Sequence, residues 1–193
     1  MLAASAAQLT TWRLNEVGFF DGLTGLANRN LFLDRLRVAL SQTARFEETV
    51  AVLFLDLDDF KAVNDTRGHG AGDQVLITVA ERVSRCVRPY DTVARLGGDE
   101  FAVLIERMQH VEDVYSIAER ILASLADPVV VAGEDFAIHS SIGIAITPVA
   151  GDAPDELVRN ADLAMYVAKT NGKARYEVFR PEMYDALVER VEL

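Results

Sequence analysis

Adjacent glycines at 97 and 98 cut an apolar stretch in two and interrupt any helix through residues 93–106. Val93 and Leu96 precede them and Phe101, Val103 and Ile105 follow, so β-branched and aromatic residues flank a turn dipeptide. This pattern predicts a β-hairpin with Asp99 and Glu100 just past its turn. Two carboxylates on so short a turn suit a hard cation such as Mg2+, which takes oxygen ligands and keeps positions open for substrate phosphates. Such a cation needs a further ligand from elsewhere in the chain.

A candidate lies upstream. Thr49 to Leu57 is a near-continuous apolar run, the pattern of a strand buried on both faces, and it ends in acids. The two-residue period puts Asp56 and Asp58 on one face and Asp59 on the other. Asp58 and Asp59 read as residues that end a strand and begin a turn. Asp56 sits inside the apolar run, where a carboxylate is costly unless a metal or a donor satisfies it, and only one of Asp56 and Asp58 need be a ligand.

Around these segments, residues 1–18 are alanine-rich, with Leu2, Leu9 and Trp12 permitting a short linker helix. Turn residues fill 21–30, and Leu31, Phe32, Leu36, Ala39 and Leu40 share one face of a helix that Asn28 is placed to cap. After the first strand, Lys61 and Asn64 lead into a glycine-rich turn from Gly68 through His69 to Gly72, and Asp73 opens a helix. Its stripe is Val75, Leu76, Val79, Val83, Cys86 and Val87. By spacing alone Asp73 is a helix cap or first-turn acid, and Arg88 with Asp91 a local ion pair beyond the helix that Pro89 stops. A helix through Ile121 and Leu125 ends at Pro128, and Phe136 to Thr147 reads as one strand in which Gly143 permits a close backbone approach. A last helix begins near Pro154 and closes at Asn171-Gly172, with Lys169 in its final turn and Lys173 just beyond, before a short strand over Tyr176 to Phe179. The order is helix, strand, helix, hairpin, helix, strand, helix, strand. It argues an α+β fold, a sheet with helices packed against it.

A net charge of -11 opposes a generic nucleic-acid or anionic-membrane surface, so an anionic ligand must be met locally, through metal and selected lysines. The single cysteine, Cys86, excludes an internal disulfide and fits a small buried apolar role in a reducing cytoplasm. No apolar stretch approaches the length of a membrane span, although a longer protein can carry an anchor outside this chain.

Four stretches together resemble one family. RLGGDEF at 95–101, DGLTGLANRN at 21–30, DLDDFKAVNDTRGHGAGD at 56–73 and ADLAMYVAKTNGK at 161–173 are similar, in order and spacing, to the motifs of GGDEF domains, the diguanylate cyclases of bacterial signalling. The resemblance implies a ferredoxin-like palm domain of the nucleotidyl cyclase type over residues 19–180, with a mostly antiparallel central sheet, packed helices and the GGDEF hairpin. Residues 1–18 would then be a helical linker that transmits a signal from a sensor domain. Residues 181–193 would begin a connector helix of the kind that runs into an EAL phosphodiesterase domain.

By the same resemblance, two GTP molecules are condensed into cyclic di-GMP across a homodimer. Asp56, the Leu57 carbonyl and Asp99 would hold Mg2+, or Mn2+ in its place. Asp99 and Glu100 would share the roles of base and of orienting metal or water, and Lys61 would offset phosphate charge. Asn64 and Asp73 would bind guanine, whose N1-H and amino group offer the donors a carboxylate accepts; His69 falls in that segment as a ligand or a turn-stabilising residue. Lys169 and Lys173 would meet the triphosphate, where the family commonly has arginine and then asparagine at the positions of Lys173 and Ala174. Lysine keeps the charge there and loses the bidentate fork. Arg88 and Asp91 match the family's RxxD inhibitory site for cyclic di-GMP. A second reading makes the chain a GTP- or cyclic di-GMP-binding module that regulates an attached phosphodiesterase.

Overall fold

The apolar run at 49–58 becomes the central strand because its residues can be buried on both faces at once. The structure is a computed structural model and describes residues 18–46, 48–108, 110–131, 133–149, 151 and 153–184. The expected linker helix, apart from Gly18, and the connector beyond residue 184 lie outside the described residues. Along the chain come α1 (Arg29–Phe46), β1 (Thr49–Asp58), α2 (Phe60–Arg67), α3 (His69–Arg85), β2 (Thr92–Gly97), β3 (Glu100–Met108) and α4 (Glu112–Ala126). A small hairpin of β4 (Val129–Val131) and β5 (Glu134–Phe136) follows, then β6 (His139–Ile146), α5 (Pro154–Thr170) and β7 (Tyr176–Val178).

The main sheet has the order β2-β3-β1-β6-β7. Every pairing in it is antiparallel except β6 with β7. The β1-helix-β2-β3-helix-β6 core has the ferredoxin-like connectivity. Alternation along β1 splits the interior into two layers. Leu53, Leu55 and Leu57 face Val75 and Val79 of α3 and Ile117 and Ile121 of α4. Val52 and Phe54 face Phe32 and Leu36 of α1 and Leu157 and Ala161 of α5. Leu53 and Leu55 are fully buried, and each such side chain contributes about 1.5–3 kcal/mol. Asp56 and Asp58 continue the α1/α5 face, which brings acids to the end of an otherwise apolar layer.

Local chemistry sets the element ends. The Leu31 amide donates to Asn28 Oδ1 at 3.1 Å, the expected cap of α1. Pro154 occupies the first turn of α5, where its missing N–H costs nothing, and Asn171 caps the other end. Gly143 matters for its absent side chain: a Cβ there would sit 1.9 Å from the Ala161 carbonyl oxygen and 2.1 Å from the Met165 nitrogen, so α5 lies directly on β6.

Three sequence expectations change. The glycine-rich segment is not an extended turn. Only Gly68, at φ 81°, breaks the chain, and α3 begins at His69, so Asp73 lies inside that helix and does not open it. The helix tolerates its glycines because packing rewards one of them. A Cβ at Gly72 would fall 2.1 Å from Asn64 Oδ1, and α2, which the sequence pattern did not reveal, sits in that space. Phe136 to Thr147 is not one strand either, since β5 ends at Phe136 and β6 begins at His139. Finally, the hairpin turn is Gly98-Asp99, closed by the Gly97-Glu100 pair, which places Asp99 in the turn itself.

Candidate active site at the sheet end

The site begins with the hairpin. Gly98 at φ 51° adopts the left-handed conformation that a side chain would disfavour, and this lets two residues reverse the chain. The turn is then tied to β1, because the Leu57 amide donates to the Asp99 carbonyl at 3.3 Å. Asp56 and Glu100 are direct cross-strand partners, so their side chains share the α1/α5 face. Asp56, the Leu57 backbone, Asp99 and Glu100 are thereby brought to one place by β1, β3 and the hairpin turn, as the sequence pattern predicts.

A second tie holds the tip from outside. Nε and Nη2 of Arg95 donate to the Gly98 carbonyl at 3.0 and 2.7 Å, while Nη1 reaches both carboxylate oxygens of Asp21 at 3.2 Å. Asp21 also accepts from the Thr24 amide and hydroxyl at 2.8 and 2.7 Å, and its carboxyl lies below the ordinary range. Burial opposes that ionisation, and the Thr24 bonds with the Arg95 guanidinium outweigh it. Sequence reasoning passed over Arg95 and Asp21. The visible signal was an arginine two residues before a glycine turn, but its partner lies 74 residues away.

Both lysines that the resemblance assigns to phosphate come to the acids. Lys169 Nζ stands 2.6 Å from Asp56 Oδ1, and Lys173 Nζ lies 2.7 and 2.9 Å from the two oxygens of Asp59. Asp56 is only 9% exposed; burial raises its carboxyl above the ordinary range, Lys169 pulls it back, and the charges of Asp99 and Asp58 add to the rise. Burial likewise raises Glu100, with Asp162 of α5 the leading like charge and Arg29 opposing it. Arg29, Glu100, Asp162 and the apolar Leu33 and Phe54 line one cleft on this face. Arg29 and Asp162 are further charges that the sequence pattern did not single out.

Lys61 is exposed on the first turn of α2 and His69 is exposed at the start of α3. Asn64 is half-buried against Gly72, and the exposed Asp73 follows that glycine. The Asn64 side chain and Asp73 therefore flank one helix-helix junction at the same end of the sheet as Asp59.

Arg88 and Asp91 lie just before β2, whose 6 residues separate Asp91 from the Gly98-Asp99 turn. Their backbones and side chains interlock: the Arg88 amide donates to Asp91 Oδ2 at 2.9 Å and the Asp91 amide to the Arg88 carbonyl at 3.0 Å. The Arg88 guanidinium donates to the Tyr90 hydroxyl at 3.0 Å and to Asp113 Oδ2 at 3.3 Å. The expected Arg88-Asp91 ion pair is thus a backbone-to-carboxylate bond. Asp91 is 8% exposed, its Oδ1 has no hydrogen-bond partner among the described residues, and burial raises its carboxyl.

Among the described residues, no three His, Cys, Asp or Glu side chains converge as a closed metal cage. Two carboxylates, Asp56 and Asp99, with a main-chain carbonyl form an all-oxygen set of low denticity. It fits a hard divalent ion whose other positions go to water and phosphate. Burial is the main cause that lifts Asp56, and the neighbouring charges of Asp99 and Asp58 add to it, so a cation at this set would be met by negative charge.

A mostly antiparallel palm sheet with acids at the tip of one hairpin and at the adjoining end of the central strand, where Lys169 of a flanking helix meets Asp56, defines the nucleotidyl-cyclase class of domain. Residues 18–175 match the profile of the family described as diguanylate cyclase, GGDEF domain, and the chain belongs to that family. It is 44% identical over 193 residues to MucR of Pseudomonas aeruginosa, named a bifunctional diguanylate cyclase/cyclic di-GMP phosphodiesterase, covering all of this chain and 28% of that protein. The solved structure of a delta-N mutant of TpbB (YfiN) from Pseudomonas aeruginosa, comprising only the GGDEF domain, superposes with a TM-score of 0.86 at 40% identity, over 88% of this chain and 99% of that one. The coiled coil and GGDEF domain of DgcB from Caulobacter crescentus, solved with c-di-GMP, gives 0.82 at 30% identity, over 89% and 91%. The chain thus spans less than a third of the MucR protein, and no helix among the described residues is long and apolar enough to cross a membrane.

Proposed function

We propose that this chain is a diguanylate cyclase that condenses two GTP into cyclic di-GMP and two pyrophosphates. Each 3'-oxygen forms a bond to the α-phosphorus of the other GTP, each bond from that phosphorus to pyrophosphate breaks, and two hydroxyl protons leave. The observation that carries this reading is the convergence of Asp56, Asp99 and Glu100, enforced by the Leu57-Asp99 hydrogen bond and the Asp56-Glu100 pairing.

Asp56, Asp99 and the Leu57 carbonyl would hold Mg2+, with Mn2+ fitting the same donors, and the ion would neutralise charge gathering on the phosphate. Glu100, whose proton affinity is raised by burial and neighbouring acids, accepts the hydroxyl proton on its carboxylate while Asp99 holds the charge beside it. Lys169 and Lys173 bind the triphosphate, and Lys61 offsets charge as pyrophosphate departs. Asn64 and Asp73 select guanine, with the exposed His69 in the same segment.

One GTP per chain requires two chains face to face, so turnover rises with protein concentration through a homodimer. Cyclic di-GMP returns to Arg88 and Asp91 and inhibits. A second reading, a nucleotide-binding module that controls an attached EAL phosphodiesterase, is favoured by one observation: Lys173 is already occupied by Asp59.

The test is incubation of concentrated protein with GTP and Mg2+, followed by chromatography for cyclic di-GMP and pyrophosphate. Product from the wild type and none from Asp99→Ala, with GTP binding kept by the variant, supports the cyclase. Turnover by the variant overturns the metal assignment, and wild-type GTP binding without product supports the regulatory module.

A further inference from the structure

We propose that Asp58 is a positioning residue for Lys173: it fixes the turn after α5 in the shape that presents this lysine, and it is not a ligand of the cation. The inference rests on the reading of Lys173 as a triphosphate contact. Three consecutive residues of that turn have positive φ, Gly172 at 115°, Lys173 at 61° and Ala174 at 50°. Glycine accepts this conformation freely, whereas residues with a Cβ are held in it only by their surroundings. Ala174 has no side chain that can hydrogen-bond to its own backbone, as asparagine does.

Asp58 supplies the hold. One of its carboxylate oxygens, Oδ2, accepts the Ala174 amide at 3.1 Å, and the other, Oδ1, accepts the Ser141 hydroxyl at 2.8 Å. Ser141 is fully buried on β6, so the carboxylate is braced from the rigid side and grips the turn from the other. The neighbouring Asp59, itself left-handed at φ 58°, takes the Lys173 ammonium. One β1–α2 corner therefore holds both the backbone and the side chain of the same turn. The turn is also anchored on its two flanks: the Lys173 amide donates to the Ala168 carbonyl at 3.1 Å, and the Arg175 carbonyl accepts from Ile142 at 2.9 Å. Asp58 shares its face of β1 with Asp56, yet both of its oxygens are committed to protein donors, and this separates an anchor from a ligand on one strand.

The test uses the full 193-residue chain. Affinity for a non-hydrolysable GTP analogue with Mg2+ is measured by calorimetry, and affinity for Mn2+ without nucleotide by electron paramagnetic resonance, in Asp58→Ala, Asp58→Asn and Lys173→Met. Asn keeps both bonds, with Nδ2 donating to the Ser141 oxygen and Oδ1 accepting from Ala174. Asp58→Asn is therefore expected within about twofold of wild type, and Asp58→Ala about five- to tenfold weaker for nucleotide, the size of one lost buried hydrogen bond. Mn2+ affinity is unchanged in both. Adding Ala174→Gly to Asp58→Ala restores most of the nucleotide affinity, because glycine holds the turn unaided.

Loss of Mn2+ affinity in Asp58→Asn makes Asp58 a ligand and overturns the proposal; this arm decides even if Asp58→Ala fails to fold. Wild-type nucleotide affinity in Asp58→Ala, with Lys173→Met weakened, overturns the positioning role alone. Unchanged affinity in Lys173→Met overturns the triphosphate reading and the proposal with it.

Discussion

The two ends of the β2–β3 hairpin treat charge in opposite ways. At the tip, charges from distant segments answer one another: Lys169 meets Asp56, Lys173 meets Asp59, and Arg95 meets Asp21. At the far end, about 20 Å away along the strand, Asp91 is buried with one oxygen unanswered, and Arg88 leans on Tyr90 and Asp113. At the tip Lys169 and Lys173 already have acid partners, so the proposed binding of nucleotide and cation would require those partners to exchange. The far end keeps a standing cost, a buried carboxylate that backbone groups and the neighbouring guanidinium answer only in part.

Substitutions break or sharpen this contrast. The largest effect is expected at the tip, where Asp56→Ala removes both the cation donor and the partner of Lys169. Product formation should fall roughly 100- to 1,000-fold in a fixed-time assay, a loss typical of deleting one preorganised charge. Arg95→Ala comes next. It leaves the Gly98 carbonyl and Asp21 without a shared guanidinium that is only 13% exposed, and about 2–3 kcal/mol of unfolding free energy should disappear in urea titration.

The far end should respond with the opposite sign. Burial raises the Asp91 carboxyl, so its ionised form costs stability above the folded-state value, and that cost fades as pH falls towards 3.8 and below. Asp91→Asn should therefore stabilise the chain by about 1 kcal/mol at neutral pH, and the gain should shrink on acidification when melting is followed from pH 7 to pH 4. Equal gains at all pH values would show that charge is not the cause. The smallest change in stability is expected for Arg88→Ala, because its partners are exposed. That variant should nonetheless lose inhibition by added cyclic di-GMP.

Legibility followed the range of the interaction. The central strand, the hairpin, the Asn28 cap and the Pro154 helix start were readable because period, turn chemistry and capping act within a few residues. The α2–α3 junction was not. Glycines at 70 and 72 look like breakers in a sequence, and only the contact of Gly72 with Asn64 explains a helix through them. At the site, the acids of 56, 99 and 100 were legible as an apolar strand and a turn that both end in charge. Their partners were not, since Lys169 lies more than a hundred residues from Asp56 and Arg95 more than seventy from Asp21. Nothing local distinguishes a lysine that reaches a buried acid from one that stays in solvent.

Gly143 bears on that long-range pair in a way its own chemistry does not suggest. It faces the backbone of α5 with no side chain between, and it pairs across β1 with Phe54, two residues from Asp56. The helix therefore rests on the sheet as a gauge block rests on a plate, main chain against main chain, and the gap between Lys169 and Asp56 inherits that tolerance. A single methyl group at 143 would act as a shim under the whole helix, moving the lysine off the acid while leaving both residues chemically intact.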